Sequence, residues 1–89
     1  MKQTLLQVGD KVRIKEDIRE SIYYGMKTYN YSNCYLYGKM AEPGKLVTIK
    51  ESQGRGYRLV EEDFFTYTDE MFESELIEFL YEEYLENNK

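Results

Sequence analysis

The chain of 89 residues lacks histidine and tryptophan and contains one cysteine and one proline. Without histidine, no side chain has an unperturbed pKa near neutrality, and neither a Ser-His nor a Cys-His nucleophile pair can be built. Cys34 alone forms no internal disulfide and no zinc site of the usual Cys/His type, so we expect a small buried apolar residue in a reducing environment. These absences predict that the protein is not an enzyme and binds no cofactor or metal.

Long hydrophobic runs are missing as well. No stretch approaches the roughly 20 apolar residues of a transmembrane helix, and no apolar run typical of a signal peptide follows the N-terminus. We therefore expect a soluble, cytoplasmic protein with no membrane partner. The length fits one domain with a thin core, and ten tyrosines supply rings that can cover such a core while their hydroxyls stay hydrated.

What the chain does contain is a repeated pattern of a turn followed by alternating apolar and charged residues. Residues 8–15 read Val-Gly-Asp-Lys-Val-Arg-Ile-Lys, which places Val12 and Ile14 on one face of a strand and the basic residues on the other. Similar patterns follow glycines later in the chain. The predicted strands cover residues 11–15, 46–51, 57–60, 64–67 and 72–73.

This order of strands, turns and one long loop resembles that of small SH3-like barrel proteins of Gram-positive phages and prophages. The matching sequences are Val-Gly-Asp-Lys-Val-Arg-Ile at 8–14, Gly-Lys-Leu-Val-Thr-Ile at 44–49, Tyr-Arg-Leu-Val-Glu-Glu-Asp at 57–63 and Thr-Asp-Glu-Met-Phe at 68–72. The resemblance implies a mainly β fold, a small SH3-like barrel of about five strands, and it assigns no functional residue. The chain differs in one respect from SH3 domains that bind polyproline. The aromatic groove of those domains normally includes a tryptophan, and this chain has none.

Two helices are predicted outside the strands. In the long first loop, Ser32 or Asn33 can cap a short helix that runs to about residue 40, with Tyr35, Leu36 and Met40 facing the core. Ser74 can cap a C-terminal amphipathic helix that needs an apolar surface to cover. The apolar residues that recur there at helical spacing are Leu76, Ile77, Leu80, Tyr81, Tyr84 and Leu85. We therefore expect a single domain, with residues 1–73 as the SH3-like barrel and 74–89 as an acidic helix packed on it.

The charge is unevenly distributed along the chain. Residues 1–50 have a balance of +4, whereas residues 51–89 have a balance of −9, and eleven acidic residues but no basic one lie between positions 61 and 86. A solvated helix and turn would explain this segment. The functional alternative is a negative surface that attracts a basic partner.

From these features we predict a non-enzymatic interaction module of phage or prophage type that binds a basic protein partner through an acidic and tyrosine-rich surface. By analogy with small acidic phage inhibitors such as anti-CRISPR proteins, the predicted partner is a host nucleic-acid enzyme or defence nuclease that the module inhibits. The predicted partner-binding residues are Tyr23, Tyr24, Tyr29, Tyr31, Glu61, Glu62, Asp63, Glu75, Glu78, Glu82, Glu83 and Glu86.

Two alternatives remain open. The first is a nucleic-acid-binding barrel, in which tyrosines and a basic strand face bind phosphates and bases, although the net charge of −5 disfavours it. The basic residues of that face are Lys11, Arg13, Lys15, Lys45 and Lys50. The second is a structural phage protein that forms homodimers through its C-terminal helix.

Overall fold

The computed structural model describes residues 4–28, 34–38, 42–53, 55–62 and 64–87, and within them the chain is mainly β. Five short strands form two antiparallel sheets, and a 3-10 helix and a C-terminal α-helix follow. The strands are β1 (Lys11–Arg13), β2 (Tyr23–Tyr24), β3 (Tyr35–Leu36), β4 (Leu46–Gln53) and β5 (Gly56–Leu59). The 3-10 helix spans Asp69–Met71, and α1 spans Glu75–Asn87.

The three-stranded sheet, in the order β1-β4-β5, follows from the alternating pattern of its sequence. Val12 of β1 lies opposite Val47 of β4, and both are fully buried, while Lys11 and Arg13 are exposed on the other face. β5 returns beside β4 in a hairpin with one shift of register. The first three predicted strands are therefore confirmed to within two residues at each end.

The segment 67–73 reaches both outer edges of this sheet. At the β5 edge, Tyr57 and Tyr67 exchange two backbone hydrogen bonds, of 2.7 and 2.8 Å. At the β1 edge, Ile14 forms a second isolated bridge with Phe72. The fourth and fifth predicted strands are thus reduced to single bridges, and the described residues form two sheets rather than a closed barrel.

Phe64 lies where the fourth predicted strand would begin, and it occupies a bend instead. Its backbone N–H donates to the Glu62 carboxylate at 2.9 Å, so a side chain takes the bond that a neighbouring strand would supply. Its ring is 82% exposed. The local side-chain bond therefore outweighs the strand preference of two consecutive phenylalanines.

The core lies under the three-stranded sheet and is rich in aromatic rings. The Phe72 ring centroid is 6.1 Å from that of Tyr57 and 6.3 Å from that of Tyr67, and Tyr37 meets Tyr67 edge-on at 6.4 Å. Leu6 is fully buried, which makes the N-terminal segment part of the core. Tyr37, Tyr57 and Tyr67 therefore contribute rings to a core whose other described members are mostly aliphatic.

β2 and β3 form a two-stranded hairpin inside the long connection. Tyr23 lies opposite Leu36, and Tyr24 lies opposite Tyr35. The helix predicted here is wrong for residues 34–38, since these form β3 and its flanks. The runs of aromatic and branched residues on both arms favour strands, and pairing them satisfies backbone groups that a short isolated helix would leave open.

Three neighbouring expectations are also corrected. Cys34 and Tyr35 are half-buried rather than buried, and Leu36 is exposed, because these residues lie in or beside a hairpin with one face turned to solvent. The remainder of the predicted loop helix, at 32–33 and 39–40, lies outside the described residues.

α1 confirms the C-terminal helix to within one residue of its predicted start. Ile77 is buried, and half-buried apolar side chains on the same side pack against the core. The Ser74 hydroxyl is buried but makes no hydrogen bond with the described residues, and the same holds for the Thr68 hydroxyl before the 3-10 helix. Ser74 therefore occupies the predicted cap position, but its hydroxyl makes no capping hydrogen bond with the described residues. Among the described residues, no helix has the length and apolar content needed to cross a membrane.

Candidate functional site

The outer surface of α1 combines carboxylates with one exposed aromatic ring. Successive residues of an α-helix are about 100° apart, so Phe79 lies on the side opposite the buried Ile77 and the half-buried Tyr84. Its ring is 58% exposed. The acidic helix face, as we define it, consists of Phe79 and the exposed residues Glu75, Glu78, Glu82, Glu83 and Glu86.

An open depression of about 440 Å³ crosses part of this face. Phe79 and Leu85 give it apolar walls, and Glu82, Glu83 and Glu86 give it carboxylates. Lysine and arginine side chains have an apolar stem and a cationic head. A surface of this composition can hold such a side chain by both parts.

The like charges of α1 repel one another, and those of its last turns also oppose the helix dipole. Glu78, Glu82 and Glu86 are four residues apart, which places like charges side by side. The last turn contains no basic residue, although cations are the charges that the negative end of a helix favours. A bound cationic partner would relieve both effects.

We expect Glu82→Lys to raise the free energy of unfolding by about 1 kcal/mol, because it replaces two like-charge pairs by two opposite-charge pairs. The melting temperature, followed by circular dichroism, should rise by about 4–8 °C. Glu20→Lys makes the same charge change at an exposed loop position and should have a smaller effect. Equal gains from both variants would show that net charge, and not the helix, is responsible.

The acidic turn at 61–62 lies on the β4–β5 side of the molecule. The Glu61 carboxylate accepts the Thr48 N–H at 2.9 Å. Partial burial raises the pKa of Glu61, but hydrogen bonds from Thr48 and the charge of Lys45 outweigh it and leave that pKa below its usual value. Glu62 binds the Phe64 N–H. The carboxylates of Glu61 and Glu62 are therefore engaged in closing a turn. Asp63 lies outside the described residues.

Of the four tyrosines predicted to bind a partner, the structure places Tyr23 on the surface, with its side chain 68% exposed. Tyr24 is half-buried, and its hydroxyl accepts the Arg19 N–H at 3.1 Å. Tyr29 and Tyr31 lie outside the described residues. The described part of the tyrosine-rich surface is therefore Tyr23 and its exposed cross-strand neighbour Leu36.

The basic residues of β1 and β4 are on neighbouring strands, as the alternation predicts. Lys11, Arg13, Lys45 and Lys50 are exposed, while Lys15 is half-buried. The Arg13 guanidinium donates to the Gly44 carbonyl at 2.8 Å, which ties it to the turn before β4. The basic surface therefore lies on the exposed side of the three-stranded sheet, whereas the acidic helix face lies on α1.

A buried carboxylate network was missed by sequence reasoning. The Tyr57 hydroxyl donates to Asp69 Oδ1 at 2.6 Å and accepts the Leu6 N–H at 3.2 Å, while the Lys27 N–H donates to Asp69 Oδ2 at 3.1 Å. Asp69 is fully buried. Burial raises its pKa, and the bonds from Tyr57 and Lys27 oppose that rise in part. In the sequence, Asp69 is one of the eleven acidic residues between positions 61 and 86, and no local signal separates it from the solvated ones.

This network joins four parts of the chain, and its carboxylate is fully buried. Burial and the Asp69 carboxylate together raise the pKa of Tyr57, so its hydroxyl stays protonated and keeps donating. Within the described residues, no group of three or more potential ligands is arranged for a metal ion. The network therefore holds the fold together, and the surface of α1 is the stronger candidate for function.

Comparison of the chain with family models, with curated proteins and with solved structures finds no match.

Proposed function

We propose that this chain is a non-enzymatic protein-binding module whose docking surface is the acidic helix face and whose partner is a basic protein. The observation that carries the proposal is Phe79, an exposed ring surrounded by five exposed carboxylates. Aromatic anchors supply much of the binding energy at protein interfaces, and complementary charge speeds association and selects the partner. The ring at the centre of this face gives it an apolar contact in addition to its charge.

The partner proposed is a host nucleic-acid enzyme or defence nuclease, inhibited in the manner of anti-CRISPR proteins from phages or prophages. Such an enzyme has a basic groove for phosphates, and a row of carboxylates along α1 can occupy it in their place. Glu61, Glu62 and Tyr23 extend the contact only where the partner reaches beyond the helix. In this proposal the protein acts in the cytoplasm of the host cell.

We also propose that the fold is an SH3-like barrel, in keeping with the phage resemblance. The support is the segment 67–73, which carries the 3-10 helix and bridges β5 at one end and β1 at the other. An SH3-like domain presents its loops and appended elements for binding, and α1 is such an element.

The alternatives have specific observations for and against them. Nucleic-acid binding is favoured by the exposed Lys11, Arg13 and Lys50 on neighbouring strands, and it is opposed by the net charge. Homodimerisation through the outer face of α1 would bring the carboxylates of two copies together. That contact is electrostatically unfavourable, so a dissimilar, basic partner fits this surface better.

The test begins with capture of proteins from a lysate of Gram-positive bacteria at low salt, followed by calorimetric titration of the purified partner. Phe79→Ala should weaken its binding by about 30-fold or more, as expected for an aromatic anchor worth at least 2 kcal/mol. The triple variant Glu78→Gln, Glu82→Gln and Glu86→Gln should slow association and reduce its dependence on salt.

A matched control neutralises three exposed acidic residues elsewhere, by Glu16→Gln, Asp17→Asn and Glu20→Gln. This variant has the same net charge as the helix variant and should keep its affinity within about threefold. A partner that binds all variants equally would refute the helix surface as the docking site. A mobility shift with oligonucleotides, and no protein partner at low salt, would favour the nucleic-acid alternative.

A further inference from the structure

A small polar cleft of about 110 Å³ lies between β3 and the β4–β5 hairpin. Its volume corresponds to roughly three or four water molecules, which is the room that one small oxyanion needs. The cleft is lined by Tyr35, Arg55, Gly56, Tyr57, Arg58 and Thr66.

The cleft concentrates positive charge in the acidic half of the chain. Residues 51–89 contain three basic residues, and two of them, Arg55 and Arg58, line this one cleft. Arg55 is exposed at the turn, and the Arg58 side chain is 42% exposed with its Nε 4.0 Å from a Glu51 carboxylate oxygen. Guanidinium groups offer several N–H donors in a planar fork that matches oxyanions.

The remaining walls supply neutral donors and a close backbone. Tyr35 and Thr66 contribute side chains with hydroxyl groups. Gly56 is buried, and a Cβ there would collide with the Tyr67 carbonyl oxygen, so the β5 backbone and the chain around Tyr67 meet closely beside the cleft. The Tyr57 hydroxyl is engaged by Asp69, which leaves the arginines as the main anion-binding groups.

We propose that this cleft binds a single tetrahedral oxyanion, either inorganic phosphate or the phosphate of a monoester. Two guanidinium groups and two hydroxyl-bearing side chains around so small a volume match one phosphate group. A nucleic-acid backbone needs a continuous basic track, and Glu51 and Glu62 near the hairpin interrupt one. The site is independent of the proposed function, because no residue of α1 lines it.

The test is a titration of the full-length, ¹⁵N-labelled protein with sodium phosphate, compared with sodium chloride at equal ionic strength. Phosphate should shift the backbone amide signals of Arg55, Gly56, Arg58 and Thr66 in a saturable way. Arg55→Gln should weaken phosphate binding about tenfold, and Arg55→Lys, which keeps the charge without the fork, should weaken it less. Tighter binding of phenyl phosphate would assign the site to monoesters, and tighter binding of inorganic phosphate would assign it to the free ion.

Arg19→Gln removes the same group at an exposed position outside the cleft and should leave the phosphate affinity within about twofold. The unchanged remainder of each spectrum shows that the variant is folded. Equal shifts with chloride, or equal losses in Arg19→Gln and Arg55→Gln, would overturn the proposal. Shifts in the cleft with a single-stranded oligonucleotide, but none with phosphate or phenyl phosphate, would overturn it as well.

Discussion

Asp69→Ala is expected to lower the free energy of unfolding by about 2–4 kcal/mol. The substitution leaves the Tyr57 hydroxyl without its acceptor and the Lys27 N–H without its partner, and both bonds lie in the interior or at its border. A buried donor left unsatisfied costs roughly 1–3 kcal/mol. For so small a domain this is a large share of the total stability. The midpoint of urea unfolding, with an unchanged dependence on urea, is the measurement.

Asp69→Asn is the matched control for this prediction. Its amide places one acceptor and one donor where the carboxylate has two acceptors, so either the Tyr57 hydroxyl or the Lys27 N–H loses its acceptor. We therefore expect Asp69→Asn near neutral pH to cost about 1–2 kcal/mol, less than Asp69→Ala. Two variants of equal stability would show that the carboxylate position makes no essential bonds. Tyr57→Phe provides a second check, since it removes the hydroxyl that Asp69 binds and should lose stability in the same direction.

The raised pKa of Asp69 also predicts how the difference in stability between the natural protein and Asp69→Asn changes with pH. A folded-state pKa above the ordinary value of 3.8 means that the folded protein holds the proton more tightly than the unfolded chain. This contribution to stability is fully present below pH 3.8 and is lost as the pH rises through the folded-state pKa. The amide of the Asp69→Asn variant does not titrate, so the stability of this variant relative to the natural protein should improve as the pH rises through that range.

The sequence predicts those elements of the fold whose hydrophobic pattern is long enough to distinguish a strand from a helix. β1 and β4 alternate apolar and charged residues, and α1 repeats apolar residues at helical spacing over more than three turns. For each of these, the solvent-facing residues are fixed once the period is known. The acidic helix face was predicted for the same reason, because its five glutamates lie between the apolar positions.

The hairpin of β2 and β3 could not be predicted in this way. Each strand is two residues long, and a period cannot be recognised in two residues. Ser32 and Asn33 resemble a helix cap when read alone, and only the partner strand at Tyr23–Tyr24 decides for a strand. Pairing across the long connection is tertiary information, and it overrode the local preference.

The candidate functional surfaces differ in the same way in how far the sequence predicts them. The glutamates of α1 follow from the sequence, but the importance of Phe79 depends on knowing that the opposite face is buried. Asp69 and the arginine cleft depend on residues that are far apart in the chain: Lys27 is hydrogen-bonded to Asp69, and Tyr35 and Arg55 line the same cleft. Composition and local spacing do not predict which distant residues come together in the fold.

Gly56→Ala is expected to lower the free energy of unfolding by about 2–4 kcal/mol. An added Cβ would collide with the Tyr67 carbonyl oxygen and lie 2.8 Å from Thr66 Cγ2. That carbonyl accepts the Tyr57 N–H at 2.7 Å, so the clash falls on the bridge between β5 and the segment that carries Asp69. Relief of the clash must displace backbone, because the atom in the way is not part of a flexible side chain.

Gly38→Ala is the control, since its added Cβ would meet only a Phe65 ring carbon at 4.0 Å. With no clash and fewer unfolded conformations, this variant should equal the natural protein or exceed its stability by up to about 1 kcal/mol. Both variants are compared by urea unfolding and by the near-ultraviolet circular dichroism of the aromatic core. If Gly56→Ala matched Gly38→Ala in stability, the close approach of β5 to Tyr67 would not be needed for the stability of the fold.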